Sequence, residues 1–136
     1  MYKFSVNKLV RDKVPEELKQ SGTKVSSYKL SREEYLSCLK DKLIEESEEL
    51  LEAVNSSENV SLEGVLEELA DLIEVVLAIG SYYGLSAIDV DKRRSIKKDK
   101  SGIFREGVYV QHVEVPNNHP HLQYYLSKPK KYILQS

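Results

Sequence analysis

Between Leu43 and Asp91 the chain carries 13 acidic residues and not one lysine or arginine. The same stretch holds a long apolar run, Leu69 to Tyr83, interrupted by Asp71 and Glu74. Any fold must therefore bury apolar side chains on segments crowded with like charge, with no local base to neutralise it. The segment before this stretch carries 10 bases and 6 acids, and the segment after it 10 bases and 3 acids. A net charge of −2 over 136 residues thus conceals an acidic middle between two basic ends. The middle is suited to cations and the flanks to anions.

The apolar spacing in the middle is helical. Ser31-Arg-Glu-Glu34 is a capping box, in which Ser and Glu side chains satisfy each other's exposed backbone N–H groups. A long helix is expected from there to about Val54, with Leu36, Leu39, Leu43, Leu50 and Val54 stepping along one face. The polar Asn55-Ser-Ser-Glu-Asn59 breaks it. Ser61 caps a second helix that runs to about Tyr83, with Gly84 as a left-handed stop. Its run Leu69–Ile79 is apolar nearly all round, the pattern of a helix packed on several sides, as in a helix-bundle dimer. Ser86 and Asp89 open a third helix to about Lys100, ended by Gly102, whose polar face is basic: Lys92, Arg93, Arg94, Lys97, Lys98 and Lys100.

The ends are read as shorter elements. Pro15 opens a brief helix over Glu16 to Gln20, stopped by Ser21-Gly22, and Thr23 to Leu30 is read as extended. Val108–Val115 is read as a strand, Pro116–Pro120 as a loop, and the tyrosine-rich tail as packing back on the bundle. The expectation is one all-α helical domain over 1–136, with two long acidic helices and a basic third. Short extended segments lie at the N-terminus and after residue 107, and residues 107–136 form a C-terminal extension.

Two carboxylates stand where leucines belong. Glu46 is three residues after Leu43 and four before Leu50, and Glu49 lies on the adjoining edge of that face. Glu68 is three after Val65 and four before Leu72, with Asp71 one turn on. Ionised carboxylates accept burial when paired or when coordinating a metal. Antiparallel packing of the two helices would bring Glu46, Glu49, Glu68 and Asp71 together. Such a set of hard oxygen ligands suits Mg²⁺ or Mn²⁺ better than zinc or copper. Glu45, Glu48, Glu52, Glu58, Glu63 and Glu67 read instead as solvated helix surface.

The pair Glu46-x-x-Glu49 and Glu68-x-x-Asp71 resembles the signature of the all-α nucleoside triphosphate pyrophosphatases, the MazG-like and phosphoribosyl-ATP pyrophosphohydrolase-like proteins. It stands here as Leu43-Ile-Glu-Glu-Ser-Glu-Glu-Leu50 and Glu67-Glu-Leu-Ala-Asp-Leu-Ile-Glu74. Asn7-Lys-Leu-Val-Arg-Asp-Lys-Val-Pro15 resembles the opening of a single-domain branch of that superfamily, and the likeness spans most of residues 2–105. That branch often places two glycines before a Phe after the basic helix, where this chain has Gly102-Ile103-Phe104.

The resemblance implies an α-helical fold and Mg²⁺ held by the four acids. It also implies hydrolysis of a nucleotide between its α and β phosphates, giving a nucleoside monophosphate and pyrophosphate. Nucleoside triphosphates, a phosphoribosyl-ATP-like nucleotide, and non-canonical nucleotides cleared by house-cleaning are the substrates in view. Either one of the four acids or Glu74, a further turn along, would orient the attacking water. Lys8 and Arg11 would receive the phosphates, since Arg grips phosphate bidentately. Lys97 and Lys98 of the basic helix are second candidates. The family implies a homodimer or tetramer.

The rival reading is a non-enzymatic acidic helical module for a basic partner, which requires the acids to be exposed. Nucleic-acid binding by the basic helix is disfavoured by the overall negative charge and the lack of interleaved aromatics. The single Cys38 allows no internal disulfide and reads as a small core or interface residue. His112, His119 and His121 make no zinc spacing, and there is no glycine-rich phosphate loop. The N-terminus leads into no apolar signal stretch, and the expected location is the cytoplasm.

Overall fold

A computed structural model of the chain describes residues 1–55 and 59–135. These form five helices and no strand. In chain order the helices are α1 (Val14–Gln20), α2 (Arg32–Asn55), α3 (Leu62–Tyr82), α4 (Ala87–Ser101) and α5 (Leu122–Leu126). The chain divides into two compact units, residues 1–99 and 100–136. No helix among the described residues is long and apolar enough to cross a membrane.

The helix ends follow local chemistry. The Ser31 amide donates to Glu34 Oε2 at 2.8 Å and the Glu34 amide to Ser31 Oγ at 3.2 Å, so the expected capping box starts α2. The Gly64 amide donates to Ser61 Oγ at 3.1 Å at the start of α3. Ser86 and Asp89 exchange the same reciprocal bonds at the start of α4, at 2.8 and 3.2 Å. At the end of α3 the Leu85 amide reaches Gly80 O and the Gly84 amide reaches Ser81 O, a Schellman motif. That motif needs a left-handed residue, and Gly84 supplies it with φ +76°. The polar break after α2 is only partly in view, because Ser56, Ser57 and Glu58 lie outside the described residues.

The first unit is organised by the hairpin of α2 and α3, the one pair of helices in mutual contact among the described residues. Leu39 (2% exposed) and Val75 (8%) are its buried apolar residues, with Leu36, Leu43, Leu50, Val65 and Leu72 half-buried around them. Val54, counted on the buried stripe from sequence, is exposed at the end of α2. Leu66, Leu69, Ile73 and Val76 of α3 face solvent in the single chain. The all-round apolar helix therefore finds a partner on one side only. Cys38 is a free, half-buried thiol.

Two readings of the ends are corrected. Residues 108–115 form no strand: a β segment needs a neighbour to take its ladder hydrogen bonds, and the described residues offer none. Thr23–Leu30 carries neither helix nor strand, and the Thr23 amide donates to Leu18 O at 3.0 Å. In the second unit the tail contains the short helix α5, where the sequence reading placed none. Tyr124, Tyr125 and Tyr132 cluster there with ring centroids 4.9–5.7 Å apart, Tyr125 edge-on to the other two.

Candidate active site

Glu46 sits on α2 between Leu43 and Leu50 and is 4% exposed, the one buried charged residue among the described residues. A carboxylate in that position is costly unless its oxygens are engaged. One of them is: Oε1 accepts from Lys42 Nζ at 2.5 Å, one turn back on the same helix. The other is not. Glu46 Oε2 is buried without a hydrogen-bond partner, and so is Glu68 Oε2 on α3.

These two oxygens belong to a larger grouping. Ligand atoms of Glu46, Glu68 and Asp71 all lie within 4.8 Å of one another, as do those of Glu45, Glu46 and Glu49. Glu46 is common to both groups. The donors are carboxylate oxygens alone, without nitrogen or sulfur, which is the ligand chemistry of a hard divalent cation. Buried acceptors lacking a donor are what such an ion would satisfy, so the residues present fit a metal.

The α2–α3 hairpin thus joins three of the four acids singled out by spacing, Glu46, Glu68 and Asp71, at one place. Glu49 stands at the more exposed edge, in the group with Glu45 and Glu46. Loss of hydration pushes its carboxyl above the usual range, and the negative charges of Glu46, Glu68 and Glu45 push it further. Glu49 therefore senses the acids of both helices. Glu74 is exposed and lies in neither group; it adds to the negative field that raises the Arg11 guanidinium pKa.

Basic residues of the N-terminal segment rest on these acids. Asn7 adopts a left-handed backbone, φ +47°, a conformation that Asn tolerates better than most side chains. Beyond it Lys8 Nζ pairs with Glu45 Oε1 at 2.8 Å, and Arg11 pairs with Asp71 Oδ1. The Asp71 hydrogen bond, more than its charge, raises the Arg11 pKa further. The bond from Lys8 holds Glu45 below the ordinary carboxylate range against some desolvation, with Lys42 helping. Lys97 and Lys98 lie exposed on α4 and make no ion pair among the described residues.

Two residues at the site were passed over in the sequence reading. Glu45 was counted as solvated surface, yet it is half-buried and ion-paired to Lys8 and Lys42. Lys42 was outside the base-free stretch by one position. Its signal was available: on a helix it stands three residues before Glu45 and four before Glu46, the spacings at which side chains meet. Burial lowers the Lys42 pKa, but the hydrogen bond and charge of Glu46, with those of Glu45, outweigh this and raise it.

The acidic-module reading required exposed carboxylates, and Glu46 is not exposed. Comparison with known families gives one match: the model described as phosphoribosyl-ATP pyrophosphohydrolase (PRA-PH) fits residues 6–93, more than half of the chain and all of α1, α2 and α3. Neither the curated proteins nor the solved structures gave a significant match.

Proposed function

We propose, for a chain that belongs to the phosphoribosyl-ATP pyrophosphohydrolase family and is accordingly a pyrophosphohydrolase, that it hydrolyses a phosphoribosyl-ATP-like nucleotide or nucleoside triphosphate between the α and β phosphates. The products are a nucleoside monophosphate or its phosphoribosyl counterpart, and pyrophosphate. Clearing non-canonical nucleotides is one use of that reaction. The observation that carries the proposal is the buried, half-satisfied carboxylate of Glu46, a residue grouped with Glu68 and Asp71.

Glu46, Glu68 and Asp71 would hold a divalent cation, Mg²⁺ or Mn²⁺, with Glu49 at its rim. When bound, such an ion neutralises phosphate oxygens and lowers the pKa of a coordinated water. The chain's own residues do the rest. The leucines and valines around Glu46 keep bulk water from the inner carboxylates, which strengthens every charge interaction there. Glu49 or Glu74, at the exposed edge, accepts a proton from the attacking water. Arg11 and Lys8 are placed to leave Asp71 and Glu45 for the phosphates, Arg11 as a planar two-point donor. Lys97 and Lys98 are assigned to the more distant part of the nucleotide.

The working form is proposed to be a homodimer or tetramer. The exposed α3 residues Leu66, Leu69, Ile73 and Val76 are a natural place for a second copy to cover.

The test is pyrophosphate release from a nucleotide panel that includes phosphoribosyl-ATP, with Mg²⁺ and with chelator. Metal-dependent release from at least one nucleotide, lost in Glu46→Gln and Asp71→Asn, is expected. Full release by those variants would overturn the site assignment.

A further inference from the structure

The two oxygens of the Glu46 carboxylate have different surroundings. Its Oε1 belongs to Lys42 Nζ at 2.5 Å, and the same ammonium reaches Glu45 Oε2 at 3.3 Å. Its Oε2 is buried and unclaimed, and a carboxylate oxygen of Glu46 lies within 4.8 Å of oxygens of Glu68 and Asp71. Lys42 is itself largely buried, its side chain 20% exposed, so its ammonium is held against the acids and not left to sample solvent. The pair is in the less favourable order for a helix, with the base N-terminal to the acid, so helix stability alone is a weak reason for it.

The two three-acid groups are therefore unequal. In the group Glu45, Glu46 and Glu49, two of the three acids already face Lys42, and Glu45 also carries Lys8. A divalent ion ligated by those oxygens would stand within a few ångström of the Lys42 ammonium, a direct like-charge contact in a partly dehydrated place. In the group Glu46, Glu68 and Asp71, Lys42 takes one oxygen of Glu46, and Arg11 pairs with Asp71, where both side chains are substantially exposed.

Resting on the metal-site reading above, we infer that Lys42 is a positioning residue that assigns the divalent cation to one of two overlapping acid groups. It grips Glu46 by Oε1, which leaves Oε2 for the ion shared with Glu68 and Asp71. It also occupies the Glu45 side as a resident monovalent cation, so that group takes no ion of its own. One half-buried lysine thus sets both where the metal sits and how many are held.

The test is Mn²⁺ binding to the full-length protein without nucleotide, titrated calorimetrically and by the resonance spectrum of bound Mn²⁺. Lys42→Met keeps the apolar stem, Lys42→Gln is the second variant, Lys42→Arg keeps the charge, and circular dichroism checks that each is folded. Wild type and Lys42→Arg are expected to bind the same number of ions. Lys42→Met and Lys42→Gln should take up one further ion per protomer, and Glu45→Gln added to either should remove it. A purely structural lysine would change the unfolding temperature and leave the stoichiometry alone, and that result would overturn the inference. If wild type binds Mn²⁺ and the neutral variants bind no more, only the role of Lys42 fails. A wild-type protein that binds no Mn²⁺ overturns the metal-site reading and this inference with it.

Discussion

Arg11 and Asp71, sixty residues apart in sequence, are joined by an ion pair that ties the N-terminal segment to the middle of α3. Both partners are well exposed, 56% and 38% for their side chains, so the pair contributes under about 1 kcal/mol to stability. Its value lies in location. A guanidinium parked on a metal-ligand candidate is positioned to transfer to a phosphate once the acid has a better cation. Arg11→Ala should leave the unfolding free energy within about 1 kcal/mol of wild type. It should raise KM for the nucleotide about tenfold or more, the value of one charge-assisted contact. Denaturant titration and steady-state pyrophosphate release measure the two. An unchanged KM would remove Arg11 from substrate binding.

Glu46 separates function from stability. It occupies a leucine position on the α2 stripe, and replacing a buried ion pair by a well-packed apolar residue is often stabilising by about 1–4 kcal/mol. Glu46→Leu is therefore expected to unfold at higher denaturant than wild type while losing Mg²⁺-dependent turnover. Lys42, at the helix surface side of the pair, can turn its ammonium outward on its flexible stem. A destabilised Glu46→Leu protein would show that Lys42 is left unpaired at a dehydrated place and that the carboxylate contributes to stability as well.

The pH dependence of the metal-free protein should report Glu49. Lost hydration first, and then the charges of Glu46, Glu68 and Glu45, hold its carboxyl above the ordinary 4.5. Across that window the folded chain binds more protons than the unfolded one, so stability present below 4.5 is lost as pH rises through the raised value. Glu45 and Glu34 are shifted the other way, which makes the comparison with Glu49→Gln the informative one. Thermal midpoints of wild type and Glu49→Gln should lie close together at the acid end, and Glu49→Gln should become the more stable as pH rises through the window. Mg²⁺ added at the upper end should restore wild type. A difference that does not vary with pH would mean that Glu49 is not part of the cluster.

Local chemistry explains what was legible in advance. The caps Ser31, Ser61 and Ser86 and the stop Gly84 act within a few residues of themselves, so the helix boundaries could be read off directly. The Glu46 and Glu68 positions were legible because a charge on an apolar stripe violates the helical pattern. The roles of Glu45 and Lys42 were masked for the opposite reason: both fit the pattern of a charged helix surface, although Lys42 meets Glu45 and Glu46 at ordinary helical spacings, and only the contact of Glu45 with Lys8 needs the tertiary fold. The reading of 108–115 failed because alternation specifies a strand only when a neighbouring strand exists to receive it. The helix α5, five residues long, is shorter than any window in which periodicity can be seen.

Ile73 tests the proposed second copy. It lies on α3 two residues from the metal-ligand candidate Asp71, and it is 57% exposed in the single chain. If that exposure persisted in solution, Ile73→Asp would change stability by no more than about 0.5 kcal/mol, the usual effect of a surface substitution. In an interface between copies the new carboxylate would be dehydrated beside Leu66, Leu69 and Val76, with no base nearby on either helix to receive it. Ile73→Asp is thus expected to sediment as a monomer where wild type sediments as a dimer or tetramer. The wild-type melting temperature should rise with protein concentration and that of the variant should not. A wild-type chain that sediments as a monomer, with Ile73→Asp indistinguishable from it, would show that α3 stays open to solvent and that the site is complete within one chain.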